Sequence, residues 1–321
     1  MIYRSALMFA ILLSPHGLPL SAQEQIPDPV DTVRIDTDLV NLSVSVFGRN
    51  VAQATPALRQ KEFTVLENGA PQEISFFASA ETPFDLVLLL DLSGSTADKL
   101  GLIRKSARRF VDATRPTDRV GVVTFSADVQ VVSLPTLDHE ALKKSIDGIE
   151  KPRGGTNFWD ALRFALEHVL SKSRAEHRRN AVIVMTDGVD NALPDVFGEG
   201  STTSFPELLE ILHKSDAIVL PIYLDTEKEA VRHGTPLSAY ALARQELIEL
   251  AAQSGNSIYR ARKVKDLDGV YAQVVRDLGV VYSLGYRPAN RARDGAWRSV
   301  AVQLAGHPEL LVRAKAGYYA K

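Results

Sequence analysis

Phe84-Asp85-Leu86-Val87-Leu88-Leu89-Leu90-Asp91-Leu92-Ser93-Gly94-Ser95 decides the fold. The apolar run 84–90 is too short to span a bilayer and has the character of a parallel strand buried on both faces. It ends in Asp-x-Ser-x-Ser, which sets one carboxylate and two hydroxyls on a tight loop at the strand's carboxyl end. In open α/β sheets that edge is where ligands bind. Three hard oxygen side chains at alternate positions suit a hard cation such as Mg²⁺. A polar turn, with Asp or Ser capping the next helix, accounts for the same residues. The rest of the chain has to discriminate.

Outward from this strand, strands and helices alternate from Phe84 to about Gly279. Helical spacing covers about 98–113, 138–149, 157–170, 205–214, 238–253 and 266–278. In 157–170, Phe158, Ala161, Leu162, Ala165, Leu166 and Val169 fall on one face. Strands are predicted at 119–125, 181–185, 217–224 and 257–259, with 129–132 as an antiparallel edge. Pro221 cannot donate to a ladder, which implies an edge position or a bulge. This order predicts an α/β fold with a doubly wound, mostly parallel sheet.

Both flanks read as strands. Residues 39–47 alternate with period two. Phe63–Glu67 is followed by the turn dipeptide Asn68-Gly69, and 72–77 is the expected hairpin partner. Beyond Gly279, 280–286 is a strand, 290–295 a loop, and 297–304 with 309–315 a hairpin-like pair across Gly306-His307-Pro308. Three N-terminal strands cannot easily form a stable sandwich alone, so the two ends are expected to pair in one small β-sandwich-like domain. The expected division is a signal peptide at 1–22, a linker at 23–33, N-terminal β-strands at 34–80, the α/β domain at 81–279 and C-terminal β-strands at 280–321.

A chain of 321 residues, 45% hydrophobic and 24% charged, is globular in composition. Its formal charge of -2 gives no reason to expect nucleic acid or an anionic membrane as partner. Residues 1–22 carry one charge, Arg4, a short apolar core at 7–13, helix breakers at Pro15, Gly17 and Pro19, and Ser21-Ala22 before a cut ahead of Gln23. An uncleaved N-terminal anchor is the alternative. Cysteine is absent, so an exported chain must rely on its core or a metal, and a bacterial lipoprotein, which needs a cysteine to acylate, is not expected. A secreted or periplasmic protein with no membrane span after cleavage is expected.

Three further polar loops matter: Gly154-Gly155-Thr156-Asn157, Thr186-Asp187-Gly188-Val189-Asp190-Asn191 and Leu224-Asp225-Thr226-Glu227. Loops after parallel strands collect at one edge, beside Asp91, and the Thr156 loop reaches that edge through its helix N-terminus. An apolar strand ending Asp91-x-Ser93-x-Ser95, then Gly154-Gly155-Thr156, then Thr186-Asp187-Gly188, resembles the von Willebrand factor type A domain over about 84–279. All five positions of its metal-ion-dependent adhesion site are present and in order. The flanks, with Phe63-x-Val65-Leu66-Glu67-Asn68-Gly69 and the terminal Ala316-Gly317-Tyr318-Tyr319-Ala320, resemble the bacterial secreted VWFA-related domain proteins.

The resemblance implies a metal held directly by Ser93, Ser95 and Thr156, with Asp91 and Asp187 acting mainly through bound waters. Neutral hydroxyl ligands leave most of the divalent charge uncancelled, and Mg²⁺ commonly keeps exchangeable waters. A protein partner's Asp or Glu carboxylate fits such a vacancy. Mg²⁺ is the expected ion, with Mn²⁺ or Ca²⁺ as alternatives.

Neighbouring residues have two readings each. Asp225 either tunes the site or ends a strand. Asp190 and Asn191 either reach the metal edge or are ordinary loop residues, and Asp160 either bonds within the metal loop or favours its helix's first turn. Trp159 is either an exposed contact or packs under the loop. Lys172, Arg174, Arg178 and Arg179 read as a solvated helix end. The expectation is a binding protein and not an enzyme. An aspartyl phosphotransferase usually carries a second acid where Ser93 stands, and neither a Gly-x-Ser-x-Gly elbow nor a P-loop occurs. Two alternatives remain: an assembly protein with a vestigial site, and a Mg-dependent phosphohydrolase.

Overall fold

The computed structural model describes residues 39–48, 56–94, 99–150, 154–170, 178–227 and 234–320. The expected signal peptide and linker lie outside the described residues, as do Ser95, Lys172 and Arg174.

The central strand is β5 (Phe84–Asp91), and all eight of its residues are buried. Successive side chains of a strand point to opposite faces. Leu86, Leu88 and Leu90 accordingly enter one core, and Val87 and Leu89 the other. β6 (Arg119–Phe125) and β8 (Arg179–Thr186) lie parallel on either side. β9 (Ile218–Leu224) and β10 (Tyr259–Ala261) extend the sheet beyond β8, and β7 (Val129–Thr136) closes the other edge antiparallel to β6. The order is β10-β9-β8-β5-β6-β7.

The six α-helices described are α1 (Leu100–Ala113), α2 (His139–Asp147), α3 (Phe158–Phe164), α4 (Phe205–Lys214), α5 (Leu237–Gln253) and α6 (Leu267–Leu278). Ile103 and Phe110 of α1, Ile146 of α2 and Tyr271 of α6 fill one face of the sheet. Leu162 of α3, Leu208 of α4 and Leu247 of α5 fill the other. The sheet is therefore covered on both sides, as a doubly wound fold requires. α3 is shorter than its sequence pattern, because Ala165–Val169 continues it as a π-turn.

Pro221 corrects one expectation. It stands in register against Val184 with no bulge, on a strand that has neighbours on both sides. Val219 donates its N–H to Ser254 Oγ at 3.2 Å, on the flank away from β8. Two residues on, Pro221 faces the same flank, and β10 pairs only from Ile222 onward. The missing donor thus falls where no strand partner exists.

The chain ends form two four-stranded antiparallel sheets. One holds β1 (Val40–Gly48), β4 (Ile74–Ala78), β11 (Val281–Tyr286) and β13 (Leu310–Arg313) in the order β13-β1-β11-β4. The other holds β2 (Phe63–Glu67), β3 (Ala70–Gln72), β12 (Trp297–Leu304) and β14 (Gly317–Tyr319) in the order β14-β12-β2-β3. Leu42, Val44 and Val46 meet Phe63, Val65 and Val300 in the core between them.

Two pairings differ from the sequence reading. The hairpin across Asn68-Gly69 ends at Gln72, and 74–78 crosses to the opposite sheet beside β11. The crossing sets the Phe77 ring 5.8 Å from Phe63 and 6.0 Å from Tyr282, in the core. Likewise β12 and β13 do not pair with each other: β12 lies between β2 and β14, and β13 pairs with β1. The turn at Gly306 carries the chain between sheets.

Arg178 and Arg179 are not a solvated helix end. Arg178 donates to the buried Asp85 Oδ1 at 2.6 Å and to the carbonyls of Phe84 and Thr117. Arg179 is buried over the Phe84 ring and donates to the carbonyls of Ala80, Thr82 and Val281. Burial, with Arg115 nearby, pulls its guanidinium down to about 9.

Candidate metal centre

Leaving β5, the chain passes through α1 to β6; leaving β8, it passes through α4 to β9 on the opposite side. The loops after β5 and β8 therefore diverge, and a crevice opens between two adjacent strand ends. Asp91 ends β5 and Asp187 follows β8 directly.

Asp91 is fully buried. Its Oδ1 accepts the Ser93 N–H at 2.9 Å, bending the loop back, and its Oδ2 accepts the Thr186 hydroxyl at 2.6 Å. Thr186 Oγ1 in turn accepts the Gly188 N–H at 2.8 Å. Asp187 accepts the Val189 N–H at 3.2 Å and the Thr226 hydroxyl at 2.7 Å. Each acid is thus oriented by a threonine, the kind of supporting contact that sets a ligand's direction.

Thr156 comes to the same crevice from the N-terminal side of α3. Its N–H donates to Asn191 Oδ1 at 3.0 Å, and the Asn191 N–H donates to the Thr156 carbonyl at 2.9 Å. Asn157 fixes the other side through its N–H to the Ser126 carbonyl at 2.9 Å and its side chain to the Ala127 carbonyl at 2.8 Å. The loops after β6 and β8 therefore clamp Thr156 between them. Gly155 is required by close approach, since a Cβ there would lie 2.6 Å from Asn191 Nδ2. Gly188 has φ +79 and its Cβ would lie 2.8 Å from Leu247 Cδ1.

Four of the five sequence-predicted residues thus have described positions, and Ser93, Thr156 and Asp187 line one cleft of about 390 Å³ with Asp91 beneath Ser93. No lysine, arginine or histidine appears among the described residues that line it. Burial first, and Asp187 second, push the Asp91 carboxyl up to about 7 against the hydrogen bonds from Ser93 and Thr186. Two neighbouring buried acids that raise each other's proton affinity are an environment that a divalent ion relieves. Among the described residues no three His, Cys, Asp or Glu side chains converge on a metal-sized space. The oxygens that the described residues bring to the cleft, hydroxyls with carboxylates, suit a hard ion. The described hydroxyls of Ser93 and Thr156, with the carboxylates of Asp91 and Asp187, are of the chemistry that fits a divalent cation.

The neighbouring residues divide clearly. Asp225 ends its strand, with its N–H on the Ala261 carbonyl; the following Thr226 is what reaches Asp187. Asp190 is buried and accepts from the N–H groups of Trp159, Ala192 and Ser201 and from the Ser201 hydroxyl, tying α3 to the loop after β8. Asp160 accepts the N–H groups of Thr202 and Thr203, both at 2.8 Å. Trp159 packs beneath, 6.2 Å from Phe205. Thr186 and Thr226 were missed by sequence reasoning. Thr186 had a signal, as a hydroxyl residue directly before the motif acid; Thr226 had none.

Residues 85–201 match the family model of the von Willebrand factor type A domain. The chain is 25% identical over 207 residues to a UPF0353 protein of Nocardia farcinica (strain IFM 10152), covering 61% of this chain and 61% of that protein. It is 27% identical over 150 residues to an uncharacterized protein of Borreliella burgdorferi (strain ATCC 35210), covering 44% of this chain and 39% of that protein. The matches span less than two thirds of either relative. Among solved structures, proximal thread matrix protein 1 from the mussel byssus, with a zinc-occupied MIDAS motif, superposes with a TM-score of 0.46 at 18% identity, over 62% of this chain and 48% of that one. Residues 85–201, which carry Asp91, Ser93, Thr156 and Asp187 on the loops described above, are a von Willebrand factor type A domain.

Proposed function

We propose that this chain is an exported binding protein. Its type A domain holds a divalent cation, Mg²⁺ or else Mn²⁺ or Ca²⁺, through Ser93, Ser95 and Thr156, with Asp91 and Asp187 acting through waters. The cation supplies a positive coordination vacancy, and a protein partner's Asp or Glu carboxylate fills it. The observation that supports this reading is the pair of buried acids, each hydrogen-bonded by a threonine, at a cleft that Ser93 and Thr156 help to line. The same hydrogen bonds favour binding over turnover. Asp91 is buried and engaged on both oxygens, which makes it a poor nucleophile.

Calorimetric titration with Mg²⁺ should show one site in the purified chain, lost in Asp91→Ala and weakened at least about tenfold in Thr156→Ala. A partner captured from the extracytoplasmic fraction in Mg²⁺ should be released by EDTA. Equal capture in EDTA, or by both variants, would overturn the reading.

A further inference from the structure

Phe197 is 90% exposed, the most exposed of the large hydrophobic residues described, and it lines the same cleft as Ser93, Thr156 and Asp187. A singly exposed phenylalanine is ordinary on a protein surface; what distinguishes Phe197 is its place in this cleft beside other apolar residues. Its position is not that of a loose tip. Asn191 donates its side-chain N–H to the Phe197 carbonyl at 2.8 Å, while its Oδ1 accepts the Thr156 N–H. One side chain therefore ties the backbone of Phe197 to the metal loop. The loop is also closed at its ends, where Asp190 accepts from both Ala192 and Ser201. Val189, Val196 and Tyr240 continue the apolar wall of the cleft beside Phe197. A single carboxylate side chain does not fill about 390 Å³, so the cleft has room for an adjoining group.

We propose that Phe197 and its apolar neighbours form a second subsite of this binding face, and that the partner segment carries a bulky apolar side chain next to its acidic residue. The inference rests on the metal-dependent reading above. The acid provides the cation-dependent anchor and the apolar side chain packs on Phe197. Discrimination among acidic partners then comes from the second contact, because every Asp or Glu satisfies the first.

The test is selection from a phage-displayed library of random short peptides on the purified chain in Mg²⁺, with elution by EDTA, run in parallel on Phe197→Ala. Selected peptides should carry Asp or Glu beside Phe, Leu, Ile, Met or Trp, and the apolar preference should vanish with Phe197→Ala while the acid remains. A synthetic peptide of the selected sequence should bind Phe197→Ala about tenfold more weakly, with Phe197→Leu close to the parent chain. Acidic peptides without an apolar neighbour, selected equally by both proteins, would overturn this subsite and leave the metal reading standing. Absence of any acidic, EDTA-eluted family would overturn the metal reading and this subsite with it. Because Phe197 is exposed, Phe197→Ala is expected to unfold at the parent's temperature, which separates lost contact from lost fold.

Discussion

Asp91 shows how much a site depends on what lies behind its ligands. A carboxyl of ordinary value 3.8 is pushed up to about 7, first by burial and then by Asp187. In the metal-free chain the folded state keeps a proton on Asp91 that the unfolded state releases. The contribution of this group to stability therefore falls as pH rises from about 4 to about 7. A cation favours the ionised form and competes with that proton. The rise in melting temperature on adding Mg²⁺ should accordingly be small near pH 5 and grow towards about pH 8, as measured by calorimetry at each pH. A Mg²⁺-induced shift that is flat with pH would show that Asp91 is not linked to the metal. Thr186 and Thr226 set the directions of the two acids, and neither is a ligand in the family motif.

At the scale of elements, the β-sandwich depends on a charge in its core. Glu67, on β2, is buried and accepts the hydroxyls of Tyr286 on β11 and Tyr318 on β14, each at 2.8 Å. The buried Arg298 of β12 lies 3.3 Å from its other oxygen and donates to the carbonyls of Asn290 and Ala292. One carboxylate thus joins strands of both sheets. Glu67→Ala leaves the buried Arg298 without its counter-charge and takes the acceptor from the Tyr286 and Tyr318 hydroxyls, and should lower stability by about 3–5 kcal/mol in urea unfolding. Glu67→Gln, which still accepts from a tyrosine, should cost less. Losses under about 1 kcal/mol for Glu67→Ala would mean that water relieves the pair.

At the scale of the molecule, Arg179 links the α/β sheet to the β-sandwich. It begins β8, and its guanidinium donates to Ala80 and Thr82 before β5 and to Val281 at the start of β11. Asn41 on β1 reaches Asp216 at 3.1 Å, and Ser45 reaches Asn256 at 3.4 Å, so the contact extends along β1. Such a junction predicts one cooperative thermal transition for the described chain in scanning calorimetry. Arg179→Ala removes the donor from three carbonyls and should cost about 2–4 kcal/mol or split the transition in two. Two transitions in the parent chain would overturn the linkage.

The sequence by itself determined most of the elements and named the four candidate residues that the structure brings to one cleft. Periodicity is a local property, so the buried strand 84–91, the helix 205–214 and the alternating 40–48 were legible from spacing alone. The site was legible because its acids and hydroxyls sit at strand ends and a helix start, positions that the winding of the sheet brings together. Tertiary structure alone decided which strands pair. Residues 74–78 and 310–313 join sheets other than those their turns suggest, because core packing of Phe77 and pairing with β1 outweigh the short-range turn signal. It alone turned Arg178 and Arg179 inward, since a cluster of charges reads as solvated until buried acceptors are known to face it. It also supplied Thr226 and the exposed Phe197, whose roles depend on distance in space and have no counterpart in sequence spacing.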